Sequence, residues 1–242
     1  MVLAAIAKGF DELGFSSHVA FPEAPDWELS PEDASGYVRE IRALGVKYAA
    51  KIRIRCGIEA DYIRGVTTPE RTRYAALAPD YVIGSVHTVV ADDGGRVAVD
   101  ATPEELREGI AAHFGGDAEA FVRAYFAQQR EMAAIGGFDI AGHPDLVRKF
   151  NARHPYFDET AAWYASELEA TADALAASGA IVEVNTGAIS RGWLDDAYPS
   201  ASFRAMLRAR GVRFVLSSDA HAAEALDCAF DRFATAERYV VI

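Results

Sequence analysis

Imidazole and carboxylate side chains follow the apolar runs of this 242-residue chain with unusual regularity. Ser17-His18 comes after GFS, Glu59 and Asp61 after IRIRCGI, His87 after YVIGSV, His143 after FDIAG, Asn185 after AIVEV, and Ser218-Asp219-Ala220-His221 after RFVLS. A single histidine at the end of a strand is ordinarily a hydrogen-bonded structural residue. Here four of the six histidines (His18, His87, His143, His221), together with Glu59 and Asp219, occupy such positions, where chance would scatter them over helices and loops. Imidazole and carboxylate donors in one set suit Zn, Fe or Mn ions, not Ca or Mg alone. The other two histidines serve as a control. His113 belongs to a helical pattern with Ile110 and Phe114, and His154 stands in Arg-His-Pro-Tyr at the approach to a helix. Both are read as structural, with His154 the nearer of the two to a substrate.

The elements that must position these groups are legible as β/α alternation. Apolar runs over 14–17, 52–60, 81–86, 138–142, 180–185 and 212–217 read as buried strands. Between them lie helix starts: Ser30-Pro31-Glu32-Asp33, Thr102-Pro103-Glu104-Glu105, and Asp158 leading into a helix over 159–178 that Gly179 stops. Residues 1–15 read as an amphipathic helix, and 91–100 as a hairpin turning at Asp-Gly-Gly. No G-x-G-x-x-G or P-loop motif follows a strand, which argues against a doubly wound nucleotide-binding fold. In a β/α barrel, by contrast, the C-terminal strand ends converge on one catalytic face. The expectation is one α/β domain over residues 1–242.

Composition narrows the partners. Hydrophobic residues make up 51% of the chain, enough for a sizeable core, and the formal charge is −12 with no run of Lys or Arg. Nucleic acid is therefore not an expected partner, whereas a small phosphorylated metabolite is compatible, because metal ions and one or two Arg can reverse the potential inside a cleft. No stretch is apolar enough to span a membrane, and only Cys56 and Cys228 are present, so a cytoplasmic setting is expected. Nothing in the pattern sets an oligomeric state.

SSHVAFP, GIEADYI, IGSVH, AGHPDLVRKF, EVNTGAISRG and SSDAH, in this order, resemble the polymerase-and-histidinol-phosphatase (PHP) family, in particular its histidinol-phosphatase branch, over nearly the whole chain. The resemblance implies a distorted (β/α)7 barrel with up to three Zn, Fe or Mn ions at the C-terminal strand ends. Carried over by motif, Glu59 bridges two ions, His87 and His143 complete the second, Asp219 contributes to the first, and His18 and His221 serve the third. A water or hydroxide between the ions would attack phosphorus in line, with no covalent phosphoenzyme. Glu59, Asp219 and His221 are the candidate catalytic groups. Arg191 is the candidate phosphate clamp, because a guanidinium fork matches phosphate oxygens; a solvent-exposed loop arginine is its alternative reading, and Arg153 is next in line.

Two departures accompany the resemblance. The family opens with a strand carrying His-x-His and, shortly after, an Asp, whereas here the first helical pattern begins at Met1. The first barrel strand and three ligands are thus expected to be missing, leaving Glu59, His87 and His143 as the one complete ion site. Ser17 also precedes His18 where the family has Asp, a group that could act on the ligand and not on the metal. Histidinol phosphate is the implied substrate. The same chemistry would serve another phosphate monoester or a nucleotide, and a chain without the first motif could bind metal yet be inactive.

Overall fold

The computed structural model describes residues 1–19, 21 and 29–233. Ala20 and Pro22, near the end of the SSHVAFP motif, lie outside the described residues. In chain order the elements are α1 (Val2–Ala7), β1 (Glu12–His18), α2 (Pro31–Tyr48), β2 (Arg53–Asp61), β3 (Tyr81–Ser85), β4 (Thr88–Val90), β5 (Arg96–Ala98), α3 (Pro103–His113), α4 (Ala118–Ile135), β6 (Ile140–Ala141), α5 (Ala162–Ser178), β7 (Ile181–Asn185), α6 (Gly187–Ser190), α7 (Ala201–Ala209), β8 (Phe214–Ser217) and α8 (Phe230–Phe233). All six sequence-derived strands are present, in the sheet order β1-β2-β3-β6-β7-β8 with every pairing parallel.

Local chemistry accounts for most boundaries. Ser30 Oγ accepts from Asp33 N–H, and Thr102 Oγ1 from Glu105 N–H, each at 3.1 Å, so α2 and α3 begin where their caps predict. Gly179 ends α5 in the left-handed region at φ 73°. Three readings need correction. The helix expected over 1–15 stops at Ala7, and Glu12–Phe15 join β1 because their backbone pairs with β2 from Glu12↔Arg53 onward. Asp158 does not cap α5: its carboxylate accepts from Thr160 N–H and Oγ1–H in a local turn, and the helix starts only at Ala162. The hairpin begins at Thr88, since Val89 and Val97 are paired and fully buried or nearly so.

Among the described residues the sheet is a curled half-barrel whose edges, β1 and β8, border an open trough lined by Leu13, Phe15, Val215 and Leu226. The strand pleat decides what faces each side. On the convex side Ile58, Ala60 and Val82 pack under Tyr37 of α2. A larger core joins α4, α5 and α7, where the Phe126 ring meets Tyr164 and Phe203 edge-on at 5.7 and 6.5 Å. Burying each such ring contributes roughly 1.5–3 kcal/mol. On the concave side Tyr81, Ile83, Ile140 and Ile181 form an apolar plug. The Tyr81 ring lies across β2 so closely that a Cβ on Gly57 would sit 2.3 Å from it, which is why that position is glycine. Its hydroxyl donates to Phe15 O at 3.1 Å, stitching three strands together below the site.

Candidate metal centre

Register and pleat together stack polar groups above this plug. His18 pairs with Glu59, Glu59 with Ile83, and Asp61 with Ser85, so Glu59 stands near the C-terminal end of β2, beside the last residue of β1 and two residues short of the end of β3. His87 follows β3 after two residues, and His143 follows β6 at φ 25°. Glu59 is buried, 8% exposed, and three imidazoles surround its carboxylate: His143 Nε2 at 3.2 Å, His87 Nε2 at 3.4 Å and His18 Nε2 at 3.6 Å. Ser85 Oγ donates to Glu59 Oε1 at 2.7 Å. Burial alone would raise the Glu59 pKa, but His18, His143 and His87 outweigh it and hold the carboxyl well below the usual carboxylate range.

Among the described residues, two groups have donor atoms all within 4.8 Å of one another: Glu59, His87 and His143, and His18, Asp61 and His87. The first is the donor set that the family resemblance assigns to one ion. In the second, Asp61 Oδ1 lies 2.7 Å from His87 Nδ1, an arrangement that fixes the proton on Nδ1 and leaves Nε2 aimed at Glu59. Burial would lower the His87 pKa, but Asp61 and Glu59 together push it up to about 10. Asp61 had been noted only as a polar residue at a strand end; its position two residues after Glu59, on the same face of β2, was the available signal. Asp61→Asn should weaken divalent-metal affinity by roughly 10–100-fold, read by competition with a chromophoric chelator. Unchanged affinity would make Asp61 a bystander.

The remaining candidates sit at the rim. Asp219 follows β8 in the left-handed region at φ 48°, where its Oδ1 is 3.4 Å from His221 Nε2 and its Oδ2 accepts from Arg191 at 2.7 Å. Arg191 also donates to Asp219 O at 3.1 Å, so its fork is engaged in the site and not loose in solvent. Burial would raise the Asp219 pKa, yet His221 and Arg191 bring it down. The His221 side chain is 79% exposed, and among the described residues neither it nor Asp219 joins a metal-sized group. Two non-glycine candidates in left-handed backbone, His143 and Asp219, hold strain of about 1–3 kcal/mol each, the kind that clusters at functional sites. Gly187 makes room for this corner, since a Cβ there would meet Arg191, Asp219 Oδ2 and Asn185 Oδ1 within 2.9 Å.

Sequence reasoning passed over Glu183, although a charge inside the apolar run AIVEV was a visible signal. It is 3% exposed, and its Oε2 accepts from His143 N–H at 3.1 Å and Asn185 Nδ2 at 3.0 Å. It thereby holds His143 in its unusual backbone. Burial, augmented by the nearby Asp219 and Glu59 charges, raises its pKa. His113 pairs with Asp93 at 3.1 Å, and His154 lies against Trp193; neither lines the cavity. Arg153 stacks over the same Trp193 ring, 5.7 Å from its centroid.

These donors suit a divalent transition ion. Four imidazoles and three carboxylates face one cavity, and His143 Nδ1 is a buried nitrogen that no hydrogen-bond partner among the described residues satisfies. Because His87 is an imidazolium at neutral pH without metal, a ligand lone pair becomes available only when a proton leaves. Metal loading should therefore release protons and weaken as pH falls. Calorimetry of metal uptake in two buffers of different ionisation enthalpy measures this; identical heats would contradict it. In the metal-free protein, the His87–Asp61 pair stabilises fully below the ordinary imidazole value of 6.5 and less as pH rises towards about 10.

Residues 1–187 match the PHP domain. The chain belongs to the PHP family. Over 224 residues it is 33% identical to a probable histidinol-phosphatase of Deinococcus radiodurans, covering 90% of this chain and 77% of that one. It is 24% identical over 242 residues to the histidinol-phosphatase of Bacillus subtilis, covering 95% and 88%. Among solved PHP relatives, a Listeria monocytogenes protein assigned as a histidinol phosphatase superposes with a TM-score of 0.83 at 21% identity, over 96% of this chain and 92% of that one. The histidinol phosphate phosphatase of Lactococcus lactis, solved with zinc, L-histidinol and phosphate, gives 0.62 at 24% identity, over 92% and 79%. Both likenesses establish the distorted PHP-type β/α fold. No helix among the described residues is long and apolar enough to cross a membrane.

Proposed function

We propose that this PHP chain hydrolyses histidinol phosphate to histidinol and inorganic phosphate, using divalent Zn, Fe or Mn held at the C-terminal strand ends. The observation that carries the reading is the buried Glu59 carboxylate with three imidazole nitrogens within 3.6 Å, a donor set assembled for cations. The names of the Deinococcus and Bacillus relatives supply the substrate. His87 and His143, with Glu59, would hold one ion; the family resemblance would have Glu59 and Asp219 serve a second, and His18 and His221 a third. Such ions supply Lewis acidity and an activated water for in-line displacement at phosphorus.

The chain's own groups do the rest. Asp61 keeps His87 in the tautomer that presents Nε2, and Glu183 holds the backbone that presents His143. Arg191, at the start of the loop after α6, offers N–H donors beside Asp219, where a phosphate oxygen would share the fork. Residues 1–242 act as one catalytic domain. Phosphate release from histidinol phosphate after reconstitution with each metal, set against a panel of other monoesters and nucleotides, tests the reading. A preference for a nucleotide would replace the substrate and keep the chemistry.

A further inference from the structure

Three carboxylates line the site cavity: Glu59, Asp219 and Asp100. The first two belong to the candidate ligand set. Asp100 does not, and it is held differently. It ends the β4–β5 arm, where Val99 N–H donates to His87 O at 2.8 Å and ties the arm to the metal-bearing loop. Lys149, just past His143 in the chain, donates to the Asp100 main-chain oxygen at 2.7 Å and only more distantly to its Oδ2, at 3.2 Å. The lysine thus anchors the backbone first and the carboxylate second. Among the described residues Asp100 Oδ1 accepts no hydrogen bond, and the side chain is 36% exposed. The Lys149 ammonium, 3.2 Å from Oδ2, pairs with it as with an anion.

A fixed anion with an unused oxygen is an odd neighbour for a phosphate. It would repel the ester unless the rest of the substrate carries positive charge. We propose that Asp100 is the specificity residue of this pocket, accepting an N–H from a cationic group on the alcohol part of the phosphate monoester. Leu146 and Tyr198 line the same cavity and supply apolar surface for the carbon skeleton between the two charges. The inference rests on the phosphatase reading above and deepens it, since histidinol is an alcohol bearing both an amine and an imidazole.

The test compares histidinol phosphate with p-nitrophenyl phosphate, whose alcohol part has no positive charge, in the metal-loaded enzyme. D100N should raise KM for histidinol phosphate about tenfold relative to its effect on p-nitrophenyl phosphate, because a neutral amide keeps the shape and loses the charge. D100E, which restores the charge on a longer arm, should recover part of that ratio. A purely structural Asp100 would depress both substrates alike, and an unchanged ratio in a folded D100N protein overturns the proposal. Binding of L-histidinol in the presence of phosphate, followed by calorimetry, reads the same contact without turnover. A wild-type enzyme that shows no preference for the cationic ester sinks the substrate reading itself. One that prefers it, and keeps the preference in D100N, sinks only the role of Asp100.

Discussion

Replacing Glu59 with Gln should bring phosphatase activity down by on the order of 10³-fold or more, because bound metal supplies several kcal/mol of transition-state stabilisation and each ~1.4 kcal/mol is a factor of ten. The substitution keeps size and shape. It removes the negative charge around which His18, His87 and His143 are gathered, and a neutral amide cannot bridge two cations as a carboxylate does. Metal content after dialysis should fall with activity, whereas the circular dichroism spectrum should match the parent, since Ser85 Oγ can still donate to the amide oxygen. Near-parental turnover at full metal occupancy would remove Glu59 from the reaction. Metal loss with retained turnover would separate binding from chemistry and is equally incompatible with the scheme.

Arg191→Ala should lower kcat/KM for histidinol phosphate by roughly 30-fold, corresponding to about 2 kcal/mol for hydrogen bonds to a charged partner. A larger effect would suit a fully desolvated clamp, but the Arg191 side chain is 34% exposed, so water partly replaces it. Its loss also frees Asp219, whose Oδ2 and main-chain oxygen it now holds. Metal bound through Glu59, His87 and His143 should stay, since Arg191 donates to Asp219 alone among the candidate ligands. Inhibition by inorganic phosphate should weaken in parallel with KM. Arg191→Lys separates charge from geometry: an ammonium keeps the charge and loses the fork, so a result close to Ala assigns the effect to bidentate contact. If kinetics and phosphate inhibition both match the parent, Arg191 does no more than hold Asp219, and Arg153 becomes the next candidate.

The strands of this protein were legible in its sequence because the strands of a covered parallel sheet are largely apolar, and six such runs stand between helical stretches. Most site residues were legible for a related reason: His18, Glu59, His87, His143 and Asp219 break those runs at their C-terminal ends, where a β/α fold gathers polar groups on one face. Strand register lay beyond reach. The pairings His18↔Glu59 and Asp61↔Ser85, which bring Asp61 to His87 and three imidazoles to one carboxylate, depend on hydrogen bonds between segments dozens of residues apart. Asp100 and Lys149 were hidden for the same cause, and Glu183 showed only as a charge inside an apolar run. Nothing local says which groups a hairpin aspartate or a strand glutamate will face, because only the folding of the β4–β5 arm against His87 and the curl of the sheet bring them to the candidate site. Sequence alone determined the kind of chemistry, since that is set by which side chains exist. Tertiary structure decided which of them gather round one carboxylate, which orient the others, and which face the open cavity.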